Sequence, residues 1–172
     1  MNDKNKGKRD ILIFPEFENI LEIEKIRKQY DKLYGILPPH ITLAFPFRHP
    51  MSDEELQEKL TQLCQTISPF SIEMGEITSQ KDNRMNQFYL FLHVKEGKEE
   101  LIQIHQRIYQ EILNTKIDFE YVPHITLGTT KEENRSVYLS GKFQTVVSKL
   151  IVERIGEQEE SIPLFEINLK KK

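Results

Sequence analysis

The sequence predicts a single domain of mixed strands and helices, built as two related lobes around a cleft. Three observations carry this. The chain has 172 residues, a length that suits one domain or two small lobes rather than several independent units. Apolar residues recur with strand and helix periods in alternation. The pentapeptide Pro39-His40-Ile41-Thr42-Leu43 returns unchanged as Pro123-His124-Ile125-Thr126-Leu127, each copy preceded by a strand and a helix.

The elements follow in order. Residues 1–9 carry Lys4, Lys6, Lys8 and Arg9 among Asn and Gly and read as a disordered tail, leaving residues 10–172 as the folded domain. Residues 10–17 read as a buried strand stopped near Pro15. Asn19 with Glu22 forms a capping-box pattern, and Ile23, Ile26, Tyr30 and Leu33 then share a helical face that ends at Gly35. Pro38-Pro39 forces an extended entry into a strand over 40–47. Ser52 with Glu55 opens a second helix, with Leu56, Leu60, Leu63, Cys64 and Ile67 inward and Pro69 as its stop. Strands are predicted over 70–78 and 88–94, with a polar loop over 80–87 between them. A helix over 98–114 turns Leu101, Ile104, Ile108 and Ile112 inward. Strands follow over 121–129, 146–155 and 162–169; residues 131–139 have no clear pattern, the Glu157 to Glu160 run reads as a solvated turn, and Lys170 to Lys172 read as a solvated end.

Composition excludes several classes. There are 24 Lys+Arg against 27 Asp+Glu, a net charge of -3. Cut at Asn86, the halves carry 12 basic and 14 acidic, then 12 basic and 13 acidic residues. Neither half is basic, which counts against a duplex-DNA binder living on phosphate neutralisation. No apolar run approaches the roughly 18 residues of a membrane span, and the first residues lack the apolar stretch of a signal peptide. The lone cysteine, Cys64, closes no internal disulfide and builds no cysteine-rich zinc site; it lies on an apolar helix face and reads as core. The expectation is a soluble cytoplasmic protein, with no membrane partner.

Strand alternation puts His40, Thr42 and Ala44 on one face and Ile41, Leu43 and Phe45 on the other. His124, Thr126 and Gly128 likewise oppose Ile125 and Leu127. The small residues Ala44 and Gly128 are expected to leave room beside the polar pair. Pseudo-twofold packing of the lobes would bring two His-x-Thr pairs face to face. Two imidazoles across a groove suit a general base and a general acid, because imidazole titrates near neutral pH. Two threonine hydroxyls suit the non-bridging oxygens of an anion. The set fits in-line attack at phosphorus with no cofactor. No carboxylate or cysteine stands at metal-ligand spacing near either histidine. A duplicated fold that binds a ligand without turnover is the bland alternative.

These paired motifs, each on a strand after a strand and a helix, resemble the 2H phosphoesterase superfamily, which includes 2′-5′ RNA ligase-like proteins and cyclic nucleotide phosphodiesterases. Ile13-Phe14-Pro15, Arg27-Lys28-Gln29-Tyr30, Leu37-Pro38-Pro39-His40 and Tyr121-Val122-Pro123-His124 are most similar to its bacterial YjcG-like branch. The resemblance implies an α+β bilobal fold: two pseudo-symmetric antiparallel sheets, flanked by helices, with a central cleft. It implies that His40 and His124 are catalytic, that Thr42 and Thr126 hold the phosphate, and that no metal takes part. The implied chemistry is the opening of a cyclic phosphodiester, commonly a 2′,3′-cyclic phosphate on RNA or a nucleotide; reversible 2′-5′ RNA ligation occurs in some members. The implied partner is a small phosphorylated substrate, a cyclic nucleotide or RNA end, bound by a monomer. Many RNA-ligase-like members carry an arginine two or three residues past the threonine. Here those positions are Ala44 and Phe45, or Gly128 and Thr129, and the nearest cations are Arg48 and Lys131. That departure counts against a long RNA substrate.

Tyr89, Phe91 and His93 share one strand face, opposite Phe88, Leu90, Leu92 and Val94. The aromatic face reads first as packed under a helix, with base stacking, led by Tyr89, as the alternative. His49, in a Pro-flanked loop, and His105, on a helix, read as bystanders.

Overall fold

The structure is a computed structural model and describes residues 7–170. The described residues form eight strands and three α-helices: β1 (Arg9–Ile13), α1 (Ile20–Tyr30), β2 (Ile41–Phe47), α2 (Asp53–Cys64), β3 (Phe70–Asp82), β4 (Gln87–Glu96), α3 (Lys98–Arg107), β5 (His124–Thr130), β6 (Gln144–Val147), β7 (Lys149–Ile155) and β8 (Ser161–Asn168). A π-helical turn, Ile108–Ile112, continues α3. No helix among the described residues is long and apolar enough to cross a membrane.

The strands lie in the order β6-β3-β4-β5-β2-β1-β7-β8, each antiparallel to its neighbours. The fold is α+β, with two matching halves. In each half a strand, a helix and a second strand form a unit whose two strands are neighbours: Ile13 pairs with Ile41 in one, Leu92 with Ile125 in the other. Within the sheet, the halves pair at one residue pair, Ile41 with Ile125. The two sheets implied by the resemblance are therefore continuous across a single-pair seam.

Helices cover one face of the sheet. Ile11, Leu43, Leu90, Leu92, Ile125 and Leu127 from the strands join Ile23, Leu56, Leu60, Leu101, Ile104 and Ile108 from the helices in one buried cluster. Cys64 is part of it. The helices are exchanged between halves: α1 packs on β5, and α3 reaches β2 as well as its own β4. The capping box at Ser52 is present in full, with Glu55 N–H donating to Ser52 Oγ at 3.1 Å and Ser52 N–H to the Glu55 carboxylate at 2.9 Å.

Several expectations change. Arg9, assigned by composition to a tail, begins β1 and is buried; it pairs with Asp53 at 2.9 Å and donates to the carbonyls of His49 and Met51. Residues 1–6 and Lys171 and Lys172 lie outside the described residues. Asn19 stands at the N-cap of α1 without a capping bond; its side chain donates instead to the Lys142 carbonyl. That helix stops at Tyr30, before Gly35, and its buried residues are Ile23 and Arg27. Arg27 is held by Glu24 and Asp31 and donates to the Leu37 carbonyl at 2.6 Å, so it steers the chain into Pro38-Pro39-His40. The 80–87 loop is mostly hairpin, because cross-strand pairing carries β3 to Asp82 and β4 from Gln87. The strand read over 146–155 is two strands, β6 and β7, that leave for opposite ends of the sheet.

Gly128 marks where the halves lock together. Its φ is +139°, and a Cβ there would stand 2.3 Å from the Tyr30 carbonyl carbon. Backbone cannot yield as a flexible side chain would. Gly128→Ala is expected to cost about 2 kcal/mol or more, lowering the thermal midpoint by about 4–8 °C for a chain of this size, measured by reversible unfolding.

Candidate active site

The seam places the two motifs together. With Ile41 opposite Ile125 in antiparallel register, His40 stands across from Thr126 and Thr42 across from His124. All four lie on the face opposite the helices, with each histidine diagonal to the other. Ile41 and Ile125 are buried in the core beneath them, while His40, Thr42, His124 and Thr126 are half-buried.

Both strands then break step in the same way. In β2 the pairing with β1 passes from Leu12 opposite Thr42 to Ile11 opposite Ala44, leaving Leu43 as an extra residue. In β5 the pairing with β4 passes from Phe91 opposite Thr126 to Leu90 opposite Gly128, leaving Leu127 extra. These are matching β-bulges, a device that re-aims side chains beside a site. They overturn the expected placement of the small residues. Ala44 is turned into the core, and the space at Gly128 is filled by the Tyr30 backbone. Neither opens room in the cleft.

The imidazoles are set by the same local bond. His40 Nδ1 lies 2.9 Å from the Pro38 carbonyl, and His124 Nδ1 lies 2.7 Å from the Val122 carbonyl. A carbonyl only accepts, so Nδ1 carries the proton in both rings and Nε2 is left for chemistry. Burial holds both pKa values below the ordinary histidine value, against the opposing effect of those carbonyl bonds. Arg27 lowers His40 further, while Asp31 raises it. His93 and His40 both lower His124, so the two motif histidines feel each other's charge.

The neighbours differ between the halves. Beside His124 runs an aromatic ladder: Tyr89 stacks on Phe91 at 5.4 Å and 10°, and Phe91 lies 3.9 Å from the His124 ring. His93 pairs across from His124, and its Nε2 bonds Thr78 Oγ1 at 2.6 Å. The expected burial of this face under a helix is reversed, because Leu90, Leu92 and Val94 take the core side instead. Beside His40 stands Phe14, edge-on at 6.3 Å. A recess of about 300 Å³ here is lined by Lys8, Asp10, His40, Thr42, Glu153 and Ser161, among others. Desolvation and the facing Glu153 push Asp10 up to about 7, and burial raises Glu153 as well, so this carboxyl pair holds a proton near neutrality. Ser161 donates to Glu153.

Of the other sequence candidates, Tyr89 joins the site through its ladder; Arg48 and Lys131 do not. Both are exposed beyond the far ends of their strands, on the order of 15–20 Å past the threonines at about 3.3 Å per residue. The cation on the recess is Lys8, hidden from sequence reading by its tail-like context. His49 closes a turn by accepting the Met51 N–H. His105 is buried, and its Nδ1 bonds the Leu43 carbonyl at 2.7 Å. Among the described residues no three His, Cys, Asp or Glu side chains are grouped to hold a metal ion.

Known proteins resemble this chain over most of its length. A family model described as the 2′-5′ RNA ligase superfamily matches residues 15–155. A Geobacillus kaustophilus protein named as a candidate phosphoesterase is 31% identical over 158 residues, covering 86% of this chain and 84% of its own. A counterpart from Bacillus licheniformis is 27% identical over 152 residues, with 86% of each chain covered. Among solved structures, TT0787 of Thermus thermophilus superposes with a TM-score of 0.70 at 14% identity, covering 96% of this chain and 99% of its own. E. coli LigT in apo form superposes with a TM-score of 0.61 at 16% identity, covering 96% and 98%. LigT has also been solved with 3′-AMP and with phosphate. With its doubled His-x-Thr strands and a family match spanning most of its length, the chain belongs to the 2′-5′ RNA ligase superfamily of 2H phosphoesterases.

Proposed function

We propose that this chain opens a cyclic phosphodiester by two-histidine acid–base catalysis without a metal. The substrate class is a 2′,3′-cyclic phosphate on RNA or a nucleotide, or a related small cyclic phosphate. The observation that carries the reading is the diagonal arrangement of His40 and His124 about the Ile41–Ile125 pair, each with Nδ1 tied to a carbonyl and Nε2 available.

A cyclic phosphate seated between the strands would receive hydrogen bonds on its non-bridging oxygens from Thr42 and Thr126. One neutral imidazole takes a proton through Nε2 from the attacking water as its oxygen bonds to phosphorus. The other, protonated, gives its Nε2 proton to the ribose oxygen as the P–O3′ bond breaks. The product keeps a 2′-phosphate, and the two rings have exchanged protonation states. The Tyr89–Phe91 ladder supports stacking of a base beside the phosphate, since an aromatic face accepts any base. Ligand-bound LigT structures support a phosphorylated nucleotide as the ligand class. The working unit in this reading is a monomer acting on a soluble substrate in the cytoplasm.

Two outcomes test the reading. His40→Ala and His124→Ala are each expected to lower turnover of nucleoside 2′,3′-cyclic phosphates by about 10²–10⁴-fold, with unfolding midpoints near wild type and no effect of chelator. Full turnover in either variant rejects the mechanism, and joining of RNA ends by the wild-type chain would make it a ligase instead.

The second outcome is a pH profile. Catalysis needs one ring charged and one neutral. Both pKa values are held below the ordinary 6.5, so the bell for kcat/KM should centre below about pH 6.5. A bound phosphate anion favours the charged form of each ring, so the bell for kcat should lie to the alkaline side of it. A kcat/KM optimum above pH 7.5 would contradict this ordering.

A further inference from the structure

We infer that His105 and Tyr121 are positioning residues that set the direction of the Thr42 hydroxyl by fixing the two peptide groups that follow it. The inference rests on the two-histidine reading above and extends it to side chains outside the motifs.

Past Ile41, β2 parts from β5 and loses a neighbour strand for its backbone groups. Three ring side chains from the second unit take that place. The Tyr121 hydroxyl donates to the Thr42 carbonyl at 2.7 Å. His105 Nδ1 donates to the Leu43 carbonyl at 2.7 Å, and the Phe45 N–H donates to the Tyr109 hydroxyl at 3.2 Å. The Thr42 and Leu43 carbonyls flank the bulged residue, where the ladder with β1 is out of step. Their directions define the backbone torsions between Thr42 and Ala44, and therefore where the Thr42 side chain points.

The clamp is itself rigid. The His105 ring stacks on Tyr121 at 3.9 Å and 11°, with Tyr109 at 4.6 Å on the same imidazole. His105 is 1% exposed, and its Nε2 has no hydrogen-bond partner among the described residues. Charging the ring would bury a second N–H with no acceptor, so His105 stays neutral as a fixed Nδ1 donor. Burial also holds the Tyr121 hydroxyl protonated, hence always able to donate. Neither group reaches the reacting phosphate in this arrangement; both act through the β2 backbone.

The test uses three full-length variants. His105→Phe keeps the stack and removes the donor. His105→Asn places an amide N–H near the Nδ1 position. Tyr121→Phe removes one hydroxyl and nothing else. On a nucleoside 2′,3′-cyclic phosphate, His105→Phe and Tyr121→Phe should each lower kcat by about 10–100-fold, the scale of a small misplacement of a reacting group. KM should stay within about threefold and the limbs of the pH profile should not move. His105→Asn should recover kcat to within about threefold of wild type. Wild-type kcat in both phenylalanine variants, or an Asn variant no better than Phe, overturns the inference. If the wild-type chain opens no cyclic phosphate, the functional reading fails by itself. Inorganic phosphate titrated against the Thr42 amide by NMR then decides positioning: Kd should weaken at least about fivefold in His105→Phe and be restored in His105→Asn. Equal phosphate binding in all variants, or none in wild type, rejects it.

Discussion

β2 and β5 pair at Ile41 and Ile125 and then part, and the rest of the cleft depends on that one contact. Pairing brings the two motifs into antiparallel register, which sets histidine diagonal to histidine. A longer ladder would flatten the His-x-Thr face into an ordinary sheet surface; no contact at all would leave the motifs unrelated. The backbone groups freed by parting cannot be left dry, since each unpaired one costs about 1–3 kcal/mol. On β2 ring side chains of the other unit answer this need: Tyr121, His105 and Tyr109. On β5 the end of α1 packs so closely on Gly128 that a side chain there has no space.

The electrostatics follow from the same packing. Burial disfavours charge on both imidazoles, and His40 further disfavours charge on His124. The two imidazoles therefore add little permanent positive charge to the cleft, in a chain neither of whose sequence halves is basic. In the proposed reaction, an arriving phosphate would supply the charge that makes protonation of one ring favourable. On that reading the cationic character of the cleft would appear with the ligand, a condition that a surface rich in lysine lacks.

Much of this was legible in the residues, and the parts that were not have physical reasons. The repeat located both motif strands, the leucine stripe of α2 located its core face, and Ser52 with Glu55 announced a capping box. These are local signals, spent within a few residues. Arg9 was misread because its partner, Asp53, lies far along the chain. Asn19 has a capping residue's chemistry, but Lys142 competes for its side chain. The hairpin joining β3 and β4 runs through polar residues, because cross-strand hydrogen bonds need no apolar side chains. The open face of Tyr89, Phe91 and His93 was ambiguous by composition: aromatic alternation says that one face differs from the other, and only topology says which one the helices cover.

The paired bulges give each motif strand two phases. Up to the threonine, alternate residues answer to the cleft; at Leu43-Ala44 and Leu127-Gly128, two successive residues answer to the core. Closing the ladder past either leucine with no residue removed, a one-residue slip of the pairing, would restore simple alternation. It would swing Ala44 or Gly128 out of the interior and drag the following residues to the wrong side. Register in these segments is therefore held more tightly than identity. A conservative exchange at Leu43 or Leu127 perturbs packing alone, whereas a one-residue slip uncouples the chemistry from the fold that supports it.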